Sequence, residues 1–352
     1  MSDWDPLAGP RPPAGPHRPL PGTPVQAPGS VRRTTTTDAI RPEGSMGPAT
    51  EVELRGRDRR LGADGAAVAE TAIALRLAVD PVSAEITAID GDPGDVGGLD
   101  GLVGASVRGG FGRVLAAVLG DELALRTLRA SVLEDLSGAV LVSGYAPLRA
   151  GAIRVTAGGG ASMADHQGDI CVGWASGGEM HSVLVDHDHV AVPLGPAAPA
   201  LDGDGADADE WHADPPLAVG TVRRRRRLDV QAGPAGVGWV TESHLRDSYR
   251  SVDGDEVEEM VLHEYVVRSL LGADGRVAAV EVDPRTLPWR ECVGGAPSAQ
   301  SLVGVSVTDV ARRARTELVG PTTCTHLTST LRALADVRAL TATPRQTGFS
   351  RQ

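Results

Sequence analysis

Apolar and polar positions in the last third of the chain predict strands followed by helices. Residues 226–230 and 239–244 have the composition of short strands, and residues 259–270 and 276–282 carry stronger strand patterns. The sequence between the last two, residues 272–275, has the glycines and aspartate of a hairpin turn. These segments therefore predict consecutive antiparallel strands.

Helical periodicity begins where the strand pattern ends. The pattern predicts a short helix over 297–303, a helix capped by Ser306 that ends near Leu318, and a final helix that ends near Leu340. Strands first and helices afterwards is typical of an α+β fold. We therefore expect a mostly antiparallel sheet covered on one face by C-terminal helices.

Short segments recur in the same order along the chain, which indicates an internal duplication into tandem copies. The first two pairs are separated by 191 residues and the third by 200, so the second copy carries nine extra residues. The matching segments are 31–33 with 222–224, 88–93 with 279–284, and 102–107 with 302–307.

The duplication divides the chain into five parts. We predict a disordered Pro-rich tail (1–29), a degenerate copy 1 (30–145), a hairpin and acidic linker (146–221), copy 2 with the candidate site (222–342) and a second tail (343–352).

Composition excludes several classes of function. The net charge of −12 disfavours a nucleic-acid partner. The chain has no lysine, so all 34 basic residues are arginine, and lysine-based nucleotide or pyridoxal phosphate chemistry is excluded. This composition is typical of GC-rich bacterial genomes. Three cysteines and no apolar run in residues 1–20 predict a cytoplasmic protein with reduced thiols and no membrane partner.

Four residues of copy 2 form the candidate site, namely His263, Cys292, Cys324 and His326. Two thiolates and two imidazoles suit tetrahedral zinc or another transition metal. Cys324 stands at the predicted start of a helix, where the dipole favours thiolate. The alternative is that these cysteines and histidines are separate, buried structural residues. A third interpretation is a Cys nucleophile with His326 or His263 as base.

A comparison of the two copies favours one site in copy 2. The repeat offsets match His263 with Ala72, Cys324 with Ala124 and His326 with Arg126. Copy 1 therefore keeps the apolar pattern and none of the candidate ligands.

Neighbouring polar residues have two interpretations. His244, Arg246, Asp247 and Glu264 are expected to support the site or contact substrate, although an ordinary Arg246–Asp247 ion pair is favoured. The five arginines 223–227 predict an exposed strand rim that pairs with carboxylates.

Copy 2 resembles the bacterial domain-of-unknown-function family 2889, and the whole chain resembles its longer, duplicated members. The resemblance implies no established activity. It is carried by the segments His244–Asp247, His263–Tyr265, Leu287–Cys292, Leu302–Gly304 and Cys324–Leu327.

A more distant resemblance concerns the iron–sulfur scaffold proteins of the NifU/IscU type. His263, Cys292 and Cys324 fall at three of their ligand positions, but Val261 stands where those scaffolds have their first cysteine. The resemblance therefore implies a related fold, and a fixed zinc or other metal ion, or a cysteine-based catalytic site, is favoured over an iron–sulfur cluster.

These observations favour a cytoplasmic metal-binding protein that acts on, or binds, an unknown small molecule. An enzymatic role in small-molecule catabolism is one form of this hypothesis. The alternative is a non-catalytic ligand-binding or protein-interaction module built on a pseudo-twofold scaffold. The sequence leaves the oligomeric state open.

Overall fold

An eight-stranded antiparallel sheet organises the molecule. The computed structural model describes residues 7, 9–153, 159–201, 210–253 and 256–342. The strands are β1 (Val31–Ile40), β2 (Thr50–Leu61), β3 (Ala67–Val79), β4 (Ile86–Gly91), β5 (Val222–Ala232), β6 (Val237–Asp253), β7 (Glu256–Gly272) and β8 (Val277–Thr286). Their order in the sheet is β4-β3-β2-β1-β5-β6-β7-β8.

The strands predicted from the sequence are confirmed. The first three predicted segments lie inside β5, β6 and β7, the fourth begins one residue before β8, and residues 272–275 form the turn between β7 and β8. Gly275 has a φ of +74°, a conformation that glycine adopts without strain. The fold class, α+β with an antiparallel sheet, is therefore correct.

Helices follow each group of strands. They are α1 (Pro93–Val96), α2 (Phe111–Leu125), α3 (Leu128–Glu134), α4 (Leu136–Ser143), α5 (Tyr145–Arg149), α6 (Gly159–Gln167), α7 (Glu179–Asp186), α8 (Val307–Glu317), α9 (Thr325–Arg332) and α10 (Val337–Thr341). Short 3₁₀ helices comprise Pro42–Gly44, Asp100–Leu102, Val172–Trp174, Arg290–Leu302, Gly320–Thr322 and Ala333–Asp336.

The helix predictions are confirmed with two differences. The Ser306 hydroxyl accepts a hydrogen bond from the Thr308 N–H at the start of α8, as its capping role requires. The short helix expected over 297–303 belongs to a longer 3₁₀ helix, Arg290–Leu302. The final helix is divided into α9, a 3₁₀ turn and α10, and Cys324 is its N-cap residue.

The arginine run 223–227 lies at the centre of the sheet, so the prediction of an exposed rim is wrong. These residues belong to β5, which pairs with β1 on one side and β6 on the other. Successive side chains of a strand point to opposite faces of the sheet. Each of the five arginines pairs with a carboxylate. The partners, in order along the strand, are Asp38, Asp247, Asp214, Asp135 and Asp229. Pairing with carboxylates is therefore confirmed, but it occurs in the interior.

One face of the central strands contacts helices. Arg33 donates to the Ser131 hydroxyl on α3, Arg226 donates to the Ser329 carbonyl on α9, and the guanidinium of Arg224 lies against Gly138 on α4. On this side the apolar core packs between helices and strands.

The opposite face contacts extended segments of chain. Arg32 bonds to Glu210, Thr36 bonds to Asp214, and Arg246 donates to the carbonyls of Pro199 and Leu20. Buried polar side chains on this face thus find partners without a helix.

Two predictions outside the repeats need correction. Residues 9–29 were expected to be disordered, but they lie along the sheet: His17 forms a bridge with Thr286, and the Arg18 N–H donates to the Arg285 carbonyl.

The second correction concerns the hairpin expected within 146–221. Residues 179–186 form α7 instead, because Met180, Val183 and Leu184 give a buried helical stripe. Residues 1–6, 8 and 343–352 lie outside the described residues.

Among the described residues, no helix combines the length and the apolar character that crossing a membrane requires.

We predict that Asp336→Asn destabilises the protein by about 3 kcal/mol, because it leaves buried guanidinium groups short of a carboxylate. Asp336 is buried, and it bonds to Arg126 at 2.7 Å and to Arg33 at 3.1 Å. The measurement is chemical denaturation. The control, Asp309→Asn in an exposed pair with Arg312, should cost less than about 1 kcal/mol. Equal losses in the two variants would contradict the importance of the buried network.

Candidate metal and ligand site

Two adjacent strands and the start of one helix bring a histidine cluster together. Asp247 on β6 is the direct cross-strand partner of His263 on β7. His326 lies in the first turn of α9, which packs against both strands. We call Asp247, His263 and His326 the histidine cluster. One nitrogen or oxygen from each residue lies within 4.8 Å of the others.

The two imidazole rings of this cluster are stacked. Their centroids are 3.5 Å apart and their planes differ by 13°. Asp247 Oδ2 lies 3.3 Å from His326 Nε2 and 3.9 Å from His263 Nδ1. The other nitrogen of each ring is therefore turned away from this carboxylate.

Asp247 is fixed by a second partner that the sequence did not reveal. Arg224 donates from Nε to Oδ1 at 2.7 Å and from its terminal nitrogen to Oδ2 at 2.9 Å. Both side chains are buried. A bidentate pair of this kind holds the carboxylate in one orientation, so Asp247 in turn orients the imidazoles.

Cys324 lies on the other side of His326. Its Sγ is 3.7 Å from His326 Nδ1. Burial raises the pKa of the Cys324 thiol, against the lowering effect of Tyr265 and of the N–H groups of Leu327 and His326. The expectation that the helix start would favour thiolate is therefore wrong for the metal-free protein, because desolvation outweighs the helix N-terminus.

Cys292 and Cys171 line the same cavity as Cys324. Burial, followed by the neighbouring Cys324, raises the pKa of Cys171 to about 12 and that of Cys292 further. Sequence analysis did not include Cys171 in the candidate site and so missed its place near the other two thiols. No sequence signal marks it, because the segment before Val172–Trp174 reaches this cavity through tertiary packing.

Three of the expected supporting residues lie elsewhere. His244, Arg246 and Glu264 extend from the opposite face of the sheet, where Glu264 Oε1 lies 2.8 Å from His244 Nε2 and 2.7 Å from Arg246 Nε. The Leu20 N–H donates to the same carboxylate. The favoured Arg246–Asp247 ion pair does not form, because adjacent strand residues point to opposite faces. Only Asp247 of the four contacts the candidate ligands.

Both imidazoles are neutral near pH 7. Burial lowers the pKa of His263 to about 4, although Asp247 opposes the shift. Burial and the neighbouring His263 lower the pKa of His326 well below 6.5. Neutral imidazole is the form that binds metal ions.

A cavity of about 350 Å³ lies above the histidine cluster. Tyr145, Leu148, Trp174 and Trp289 contribute to its walls, and His263, His326 and the three cysteines also line it. The cluster is thus placed where a small molecule can reach it.

Residues 222–340 match the model of a family described as "Protein of unknown function (DUF2889)". This part of the chain is similar to the DUF2889 family. The predicted resemblance is therefore confirmed for the segment from β5 to α10, which contains the whole histidine cluster. No curated protein and no solved structure matches the chain.

We predict that His263 of the metal-free protein titrates near pH 4, because protonation would place a charge in a desolvated site beside Arg224. In the unfolded chain the pKa of His263 is near 6.5, so the unfolded state binds more protons than the folded state between pH 4 and 6.5. The free energy of unfolding should therefore fall as the pH drops from about 6.5 to 4. Nitrogen-15 NMR of the ring measures the midpoint. A midpoint above 6 in folded protein would contradict this burial.

Proposed function

We propose that the C-terminal half binds one transition-metal ion, zinc by its ligand chemistry, through His263, His326 and Cys324. The supporting observations are the stack of two neutral imidazoles, with 3.5 Å between the ring centroids, and the 3.7 Å between Cys324 Sγ and His326 Nδ1. Zinc–ligand bonds of about 2.0–2.3 Å place neighbouring ligand atoms at such separations.

Asp247 would act as a positioning residue rather than as a ligand. Both of its oxygens accept bonds from buried Arg224, and a metal bond would compete with that pair. A carboxylate that accepts from the outer nitrogen of a ligating histidine orients the ring and increases its basicity. The 3.3 Å separation from His326 Nε2 is compatible with this role.

Metal binding would release the proton of Cys324. Arg224 and Asp247 cancel in charge and both histidines are neutral, so a divalent ion requires thiolate to balance it. Cys292 remains the predicted fourth ligand, since it lines the same cavity and senses the charge of Cys324. If Cys292 stays protonated, the fourth position faces the cavity, as in catalytic zinc sites.

We further propose that the fold arose by duplication and that copy 1 lost, or never had, the site. The sheet order has β1 and β5 at its centre, with each remaining strand paired outward in the same sequence. Buried bidentate pairs recur at matching positions. They are Arg33–Asp58 with Arg224–Asp247, and Arg32–Asp229 with Arg223–Asp38.

Matching positions in copy 1 carry no metal ligands. When cross-strand partners are followed outward from the central pair β1 and β5, Thr71 occupies the position that corresponds to His263. The repeat offset assigned the neighbouring residue, Ala72, to this position. Thr127, the N-cap residue of α3, corresponds to Cys324 at the start of α9. This difference supports a single site in a pseudo-twofold scaffold.

A second candidate function is metal-free nucleophilic catalysis by Cys324. It is favoured by the line of Asp247, His326 and Cys324 as orienting carboxylate, base and thiol. Hydrolysis of a neutral ester that persists in excess chelator and disappears in Cys324→Ala would favour this function over metal binding.

We predict one zinc ion per chain and a loss of zinc affinity of at least about 100-fold in His326→Ala and in Cys324→Ser, since each removes one ligand. Competition with a chromophoric chelator measures the affinity, and circular dichroism verifies folding. The matched control is His187→Ala, because His187 is exposed and outside the cluster. A folded wild-type protein that retains no zinc, or unchanged affinity in both variants, would contradict the proposal.

A further inference from the structure

The cavity above the histidine cluster has an almost wholly apolar wall. Helical, extended and strand segments form this wall, and they contribute apolar side chains that include Val142, Leu148, Val192, Leu262 and Trp289. A volume of about 350 Å³ lies at the lower end of the roughly 300–1,000 Å³ typical of small-molecule sites. The space therefore suits a compact molecule of one or two rings.

Charge is absent from this wall. No Arg, Asp or Glu occurs among the described residues that line the cavity, although charged residues make up 23% of the chain. Transfer of an isolated ion into such surroundings is strongly unfavourable. The wall therefore selects against a charged occupant.

Polar groups are concentrated at one end. His263, His326 and Cys324 lie together there. Tyr145, another polar aromatic residue of the wall, already donates its hydroxyl to the Pro193 carbonyl. One polar group on a ligand would thus find partners beside the histidine cluster.

We infer that this cavity binds a neutral, largely apolar small molecule of one or two rings whose single polar group reaches the histidine cluster. The inference rests on the proposed function for the head group, which would occupy the fourth position of the metal ion when Cys292 stays protonated. Binding of the apolar body depends on the cavity wall alone, so the two parts can be tested separately.

The test uses 1-(dimethylamino)naphthalene, a neutral fluorescent probe of two rings, and its sulfonated analogue 5-(dimethylamino)naphthalene-1-sulfonate. The first should bind with one-to-one stoichiometry, and the second at least tenfold more weakly, because its sulfonate would be buried without a partner. Leu148→Trp, which fills the cavity, should weaken binding of the neutral probe at least tenfold. Val142→Trp serves the same purpose if Leu148→Trp does not fold.

The matched control is Leu125→Trp, which adds the same side chain at an exposed leucine. Its affinity for the neutral probe should equal that of the wild type. Equal affinity for the two dyes, or no effect of either filling substitution in folded protein, would overturn the cavity inference.

The head group is tested by displacement of the probe from zinc-loaded protein. 1-Naphthol should displace it at a concentration at least tenfold lower than naphthalene does, and His326→Ala should abolish that difference. Equal displacement by the two compounds in the wild type overturns the head-group inference. Probe binding that survives in chelated protein, together with absent zinc binding, would refute the metal proposal and leave the cavity inference standing.

Discussion

Burial of arginine at the centre of the sheet is the constraint on which the rest of this structure depends. Strands β1 and β5 are covered on both faces, so every guanidinium that they carry must meet a carboxylate. Neighbouring strands, helices and the segment around Asp214 supply those carboxylates. Extended chain that would otherwise be exposed is thereby held against the sheet. An unpaired buried charge is costly, so this pairing also restricts strand register.

The histidine cluster is a product of the same network. Arg224 fixes Asp247, Asp247 lies beside both imidazoles, and α9 carries His326 and Cys324 to the same place. Because the surroundings are desolvated, imidazoles and thiols are neutral in the absence of metal. A divalent ion would change that balance by favouring thiolate. The site is therefore poised for an ion that brings its own charge, at the inner end of an uncharged cavity.

Local sequence patterns were sufficient for the strands of residues 222–286 and for the helix after Ser306, since alternation and capping are local properties. Residue types suited to metal binding, rather than local patterns, selected His263 and His326, which are neighbours in the structure. Local patterns failed for the arginine run, because charge suggested exposure while the partners were distant in sequence. Cys171, Tyr265 and Arg224 were missed as site neighbours for the same reason. Arg246 and Glu264 were misassigned because alternation across the strand was not applied to them.

Anomalous X-ray scattering at the zinc edge tests the central claim most directly. Crystals of protein grown with equimolar zinc should give one strong peak per chain within about 2.0–2.3 Å of His326 Nδ1, Cys324 Sγ and a His263 nitrogen. Asp247 should still be bonded to Arg224 in that map. A map without a peak between these side chains, in protein whose histidine rings remain stacked beside Asp247, would contradict the account.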